Sequence, residues 1–124
     1  MKTVDIKGKA YVMVNERIKA FREDFPDHKI VTEIISLEGG VCTFKAMILN
    51  DKNEVISMGH AYEKESSSFI NKTSYIENCE TSAIGRALGF LAIGIDASIA
   101  SADEVANAIT NQSKKKEPKG VTPT

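Results

Sequence analysis

Cysteine and histidine occur only twice each in the 124 residues, and that scarcity excludes several kinds of chemistry. Cys42 and Cys79 stand far apart, with no Cys or His close to either, so they fit neither a zinc site nor a disulfide framework. They read as small buried hydrophobes of a reducing compartment. His60 lies in a strand pattern between Gly59 and Ala61. Pairing it with Ser57, Cys42 or Glu63 gives no nucleophile elbow and no ligand pair, so it reads as structural or partly exposed. His28 sits beside a turn and reads as solvated. With no convergent His, Asp and Cys, an enzyme is the weakest functional class, and a non-enzymatic protein is expected.

Long apolar runs are also missing. Residues 1–9 are charged and lack the apolar core of a signal segment. No run approaches the length of a membrane span, so a cytoplasmic protein without a membrane partner is expected. Excess charge of one sign is missing too: 16 Lys and Arg face 17 Asp and Glu, for a net charge of −1. The molecule as a whole is therefore no magnet for polyanions, and any such site must come from local clustering. Gly85, Gly89 and Gly94 fall inside or after a helical pattern rather than between a strand and a helix, which excludes a phosphate loop. Glu77 and Glu80 share a helix face, but Glu77 belongs to a capping box. Glu80 belongs to the first turns, where the helix dipole favours a carboxylate. No metal and no cofactor are expected.

The elements that are present define an α+β chain. Residues 1–10 read as an arm or a short strand. Val14, Ile18, Phe21 and Phe25 form one apolar stripe of a helix beginning near Asn15 and stopped by Pro26 and Asp27. Ile30–Leu37, Val41–Leu49 and Val55–Tyr62 follow as three strands joined by turns at Gly39-Gly40 and at residues 50–53. Such short connections give an antiparallel meander with one face packed on helices. Residues 63–74 form a polar connection. Ser74-Tyr75-Ile76-Glu77 is a capping box that opens a long helix, in which Ala83, Gly85, Ala87 and Gly89 allow another backbone to approach closely. Gly94 and Asp96 mark a break. Ser101-Ala102-Asp103-Glu104 opens a short C-terminal helix reaching about Ile109. Residues 1–110 thus make one domain. Residues 111–124, with Lys114 to Lys116, read as a disordered basic tail.

Charged residues in this frame suggest one chemistry. Arg86 stands in the small-residue stretch Ala83-Ile84-Gly85-Arg86-Ala87-Leu88-Gly89. It either pairs with Glu80 or another carboxylate, or meets a phosphate. Lys45, Lys64 and Lys72 interleave with Tyr62, Phe69 and Tyr75 in or near the polar strand face and the 63–74 connection. Lysines that track a backbone beside rings that stack on bases suit single strands.

Over residues 11–95 the order of helix, meander, connection and long helix resembles the single-strand annealing protein superfamily, which includes the phage Erf and Red-beta types and the eukaryotic ring-forming proteins. Asn15-Glu16-Arg17-Ile18-Lys19-Ala20-Phe21 looks like that family's first helix, and Glu80-Thr81-Ser82-Ala83-Ile84-Gly85-Arg86-Ala87-Leu88-Gly89 looks like its long helix. The resemblance implies that Arg17 and Arg86 line a DNA groove, with Lys45, Lys64 and Lys72 as supporting contacts. It also implies single-stranded DNA binding and strand annealing in recombination, by a homo-oligomeric ring or filament of phage or mobile-element origin. Host or phage recombination proteins would be its partners. The family's long helix often carries adjacent basic residues, and Gly85 precedes Arg86 here. The alternative is a small protein-interaction module, an inhibitor or adaptor of a host protein on the same fold.

Overall fold

The computed structural model describes residues 1–69, 71–93 and 100–116, with 110–116 as backbone only. The chain opens with a hairpin, β1 (Thr3–Ile6) and β2 (Lys9–Val12), turned at Lys7-Gly8. Of the arm or short strand expected over residues 1–10, the strand forms at Thr3–Ile6, and it pairs antiparallel with β2. Helix α1 (Val14–Asp24) follows, then the meander β3 (Lys29–Glu38), β4 (Val41–Leu49) and β5 (Val55–Lys64). A single tight turn at Glu65–Ser67 leads to α2 (Asn71–Phe90), and α3 (Ala102–Lys116) closes the described chain.

The sheet runs β3-β4-β5, antiparallel throughout, so β3 and β5 are its edges. Gly39 and Gly40, both at positive φ (62° and 74°), turn β3 into β4 as their spacing predicts. Strict alternation along β4 decides the faces. Cys42, Phe44, Ala46 and Ile48 are buried, and Thr43, Lys45 and Met47 face away. The buried set meets Phe21 of α1 and Cys79, Ala83, Ala87 and Leu88 of α2, and this is the core. The close approach expected of the small residues is real, and its counterpart is on the sheet. A Cβ added at Gly59 would lie 2.5 Å from both the Ala83 carbonyl oxygen and the Ala87 nitrogen. Only glycine lets α2 lie this low on β5.

The helix ends differ from expectation in instructive ways. Helix α1 begins at Val14, one residue before Asn15, and no side chain of its own caps it. Its first N–H donates instead to Asp103 Oδ2 of α3, at 2.8 Å, a cap supplied from 89 residues away. Helix α2 already begins at Asn71, whose N–H donates to Ser68 Oγ at 3.0 Å. The expected start at Ser74 falls on a kink (φ −133°, ψ 17°). The Ser101–Glu104 capping box forms as read: the Glu104 N–H donates to Ser101 Oγ at 3.1 Å, and the Ser101 N–H to Glu104 Oε1 at 3.3 Å. Helix α3 then runs on to Lys116, six residues into what composition assigned to the tail. The break at Gly94 and Asp96, and residues 117–124, lie outside the described residues. Among the described residues no helix is long and apolar enough to cross a membrane.

Candidate nucleic-acid interface

The five cations singled out from the sequence fall into different environments. Arg17 is wholly buried. It points from α1 into the junction of α2 and α3, where Nη1 donates to the Gly85 carbonyl at 2.8 Å and Nη2 to the Ala100 carbonyl at 3.3 Å. Burial lowers its pKa from the ordinary value, and the carboxylates of Glu104 and Asp103 act the other way. A guanidinium held there cannot reach a phosphate in this conformation. Gly85, which the resemblance placed beside a DNA-binding arginine, instead supplies its carbonyl to Arg17. A Cβ on Gly85 would come within 2.8 Å of Val14 Cγ2, a side-chain end, so α1 packs closely on α2 at this point.

Arg86 is the half-exposed arginine of the pair. Its Nε donates to Glu104 Oε2 at 2.8 Å, so the carboxylate partner comes from α3 and not from Glu80. Glu80 accepts from Thr32 Oγ1 of β3 at 2.8 Å. Glu104 serves two ends at once, closing the capping box with one oxygen and holding Arg86 with the other.

Lys45, His60, Tyr62 and Lys64 come together on the outward face of the sheet. His60, Tyr62 and Lys64 alternate along β5, and Lys45 of β4 lies directly across from His60. All three β5 side chains are exposed, Tyr62 to 64%. Lys45 pairs at 3.4 Å with Glu33 of β3. Lys64 and Lys72 are joined through Asn71, a buried hub. The Asn71 Nδ2 donates to Glu63 Oε1 at 2.7 Å, to Ser67 Oγ at 2.8 Å and to the Lys64 carbonyl at 3.2 Å. Asn71 Oδ1 accepts from Asn78 Nδ2 at 2.7 Å. The 63–69 connection is thereby pinned, and both lysines stand exposed at one end of the sheet. Lys72 is separated from Arg86 by most of α2, about 20 Å of helix. Of the interleaved aromatics, Phe69 is exposed and Tyr75 packs against the core, so Tyr75 offers no free ring.

A cleft of about 490 Å³ runs beside the free edge of β5. Thr43, His60 and Tyr62 line it from the sheet, Ser82 and Arg86 from α2, and Glu104 from α3. A smaller one of about 150 Å³ lies beyond the Arg86–Glu104 pair, against the exposed Phe90. Sequence reasoning missed Ser82 and Glu104 and set His60 aside. The period-two run His60-x-Tyr62-x-Lys64 was the available signal for the outward face.

The arrangement is a small α/β layer: two helices on one face of a three-stranded meander, a basic and aromatic stripe on the other, and a cleft at the edge between them. The chain belongs to the family described as Slr1353 N-terminal dsRNA-binding domain-like, whose model matches residues 18–91. The match starts within α1 and ends just past α2, so it spans the helices and the meander that form this layer. It overturns the resemblance to single-strand annealing proteins, which rested on two helical segments of diffuse character. The small residues of one segment are explained by close packing on Gly59 and Val14, and the arginine of the other is buried. No curated protein and no solved structure matches the chain.

Proposed function

We propose that this chain is a non-enzymatic module that binds single-stranded nucleic acid across the outward face of β4 and β5. The observation that carries the reading is the exposed ring of Tyr62, set between His60 and Lys64 on one strand face, with Lys45 across from His60. A strand crossing there finds cations for its phosphates and a ring for a base, which is how sequence-tolerant single-strand sites work. Arg86 at the adjoining cleft and Lys64 with Lys72 at the end of the sheet extend the cationic track. Membership in a family named for likeness to double-stranded-RNA-binding domains supports a nucleic-acid partner in general. The annealing expectation loses the likeness it came from.

Fluorescence anisotropy of a labelled oligo-dT, at low and moderate salt, tests the proposal. Binding that weakens with salt and is stronger than binding to duplex RNA supports it. A preference for duplex RNA would favour the second reading, the one the family description suggests. No binding to either at low salt would move the chain to the protein-interaction class.

A further inference from the structure

The cleft beside β5 contains a polar atom for which the fold supplies no use. Ser82 is 4% exposed, and its Oγ has no hydrogen-bond partner among the described residues. It lies one helical turn before Arg86, on the same face of α2, and both line the cleft with Thr43, His60 and Tyr62. A buried hydroxyl left without a partner is unfavourable, and such a group calls for a ligand or another explanation. Arg86 uses its Nε on Glu104, and among the described residues its two terminal nitrogens are left for an anion. A hydroxyl inside, a guanidinium beside it and an exposed ring at the mouth are the parts that recognise a nucleotide.

We infer that the cleft takes one unstacked base of the bound strand, with its edge hydrogen-bonded by Ser82 and its adjoining phosphate held by Arg86. The inference rests on the single-strand reading proposed above. The hydroxyl both donates and accepts, so it can serve the edge of any base. The cleft's 490 Å³ lies within the roughly 300–1,000 Å³ of small-ligand sites, ample for one nucleotide. Recognition of single strands commonly proceeds in this way, with a splayed base stacked on a ring and bonded along its edge. The strand's remaining phosphates would follow Lys45 and Lys64 over the open sheet.

The test compares oligo-dT with an abasic sugar-phosphate chain of equal length, using the full chain and its Ser82→Val variant. Wild-type protein should bind oligo-dT about tenfold more tightly than the abasic chain, since stacking needs a base. Ser82→Val should weaken oligo-dT binding about fivefold and leave abasic binding unchanged, because only the base edge loses its partner. A folded Ser82→Val protein that binds both chains as wild type does would overturn the inference and leave the sheet-face reading intact. Should that variant fail to fold, ultraviolet crosslinking of thiothymidine oligonucleotides to wild-type protein decides. Crosslinks in the Ser82–Arg86 stretch of α2 support the cleft, and crosslinks confined to Lys45 and Lys64, which do not line it, refute it. Absence of oligo-dT binding by wild-type protein would sink the single-strand reading itself.

Discussion

Arg17 and Gly85 are joined by a hydrogen bond of 2.8 Å from Nη1 to the carbonyl oxygen, and both residues are buried. The same guanidinium donates to the Ala100 carbonyl, and the carboxylates of Glu104 and Asp103 act on its charge. One cation therefore ties α1, α2 and the start of α3 together. Replacing it with alanine should cost about 3 kcal/mol, because the carbonyls it serves would be left in a closed junction. Arg17→Lys should recover little, since an ammonium lacks the fork that reaches two carbonyls. Urea denaturation measures the loss. Strand affinity of the folded fraction should stay at the wild-type level, and a large affinity loss at unchanged stability would contradict the structural role.

Two glycines in close contacts should respond very differently to alanine. At Gly59 the new Cβ meets helix backbone at 2.5 Å, which cannot yield without lifting α2 off the sheet. Gly59→Ala should cost about 3 kcal/mol or more, and the variant should be scarcely folded. At Gly85 the nearest atom is the side-chain Val14 Cγ2 at 2.8 Å, and the helix itself gains from alanine. Gly85→Ala should therefore fall within about 1 kcal/mol of wild type. Equal costs at the two sites would show that α2 is less closely seated than its contacts imply.

Local patterns carried most of the architecture. The β4 alternation, the Gly39-Gly40 turn and the Ser101–Glu104 capping box are each written within a few residues, and each forms as read. What the sequence hid was long-range. The cap on α1 comes from Asp103, the partner of Arg86 is Glu104 and the partner of Arg17 is the Gly85 backbone. No spacing rule links residues that meet only after α3 has docked. Arginine in a helix start also looks the same in sequence whether it faces solvent or a buried junction. The lysines left α3's end looking like tail because composition reports apolar mass and not whether a helix already under way continues.

Cys79 makes stability depend on alkaline pH. Burial, chiefly, and the neighbouring Cys42 push its thiol up to about 12 from an ordinary value of 9.0. The unfolded chain therefore loses this proton first. The thiol's contribution is complete below about pH 9 and is lost as pH rises from there toward 12. The urea midpoint of wild type should drop between pH 8 and pH 10.5 by more than that of Cys79→Ala, which has no such proton to lose. At neutral pH the alanine variant should be weaker by only about 1 kcal/mol, the loss of a small buried group. Parallel pH dependences in the two proteins would remove Cys79 as the cause.

Tyr62 and Lys64 separate stacking from charge on the proposed binding face. Both are exposed on β5 and neither belongs to the core, so their variants should unfold at wild-type denaturant concentrations. Tyr62→Ala should weaken oligo-dT binding by about 1–3 kcal/mol while leaving its salt dependence unchanged, because a ring contributes no counterion release. Lys64→Gln should do the opposite, with a modest loss at low salt and a salt slope shallower by about 0.7, the share of one phosphate contact on a single strand. Measuring affinity at four or five salt concentrations for both variants distinguishes the two effects. If Tyr62→Ala changed nothing and Lys64→Gln flattened the slope, the face would be an electrostatic track without stacking, and duplex would compete as well as single strand.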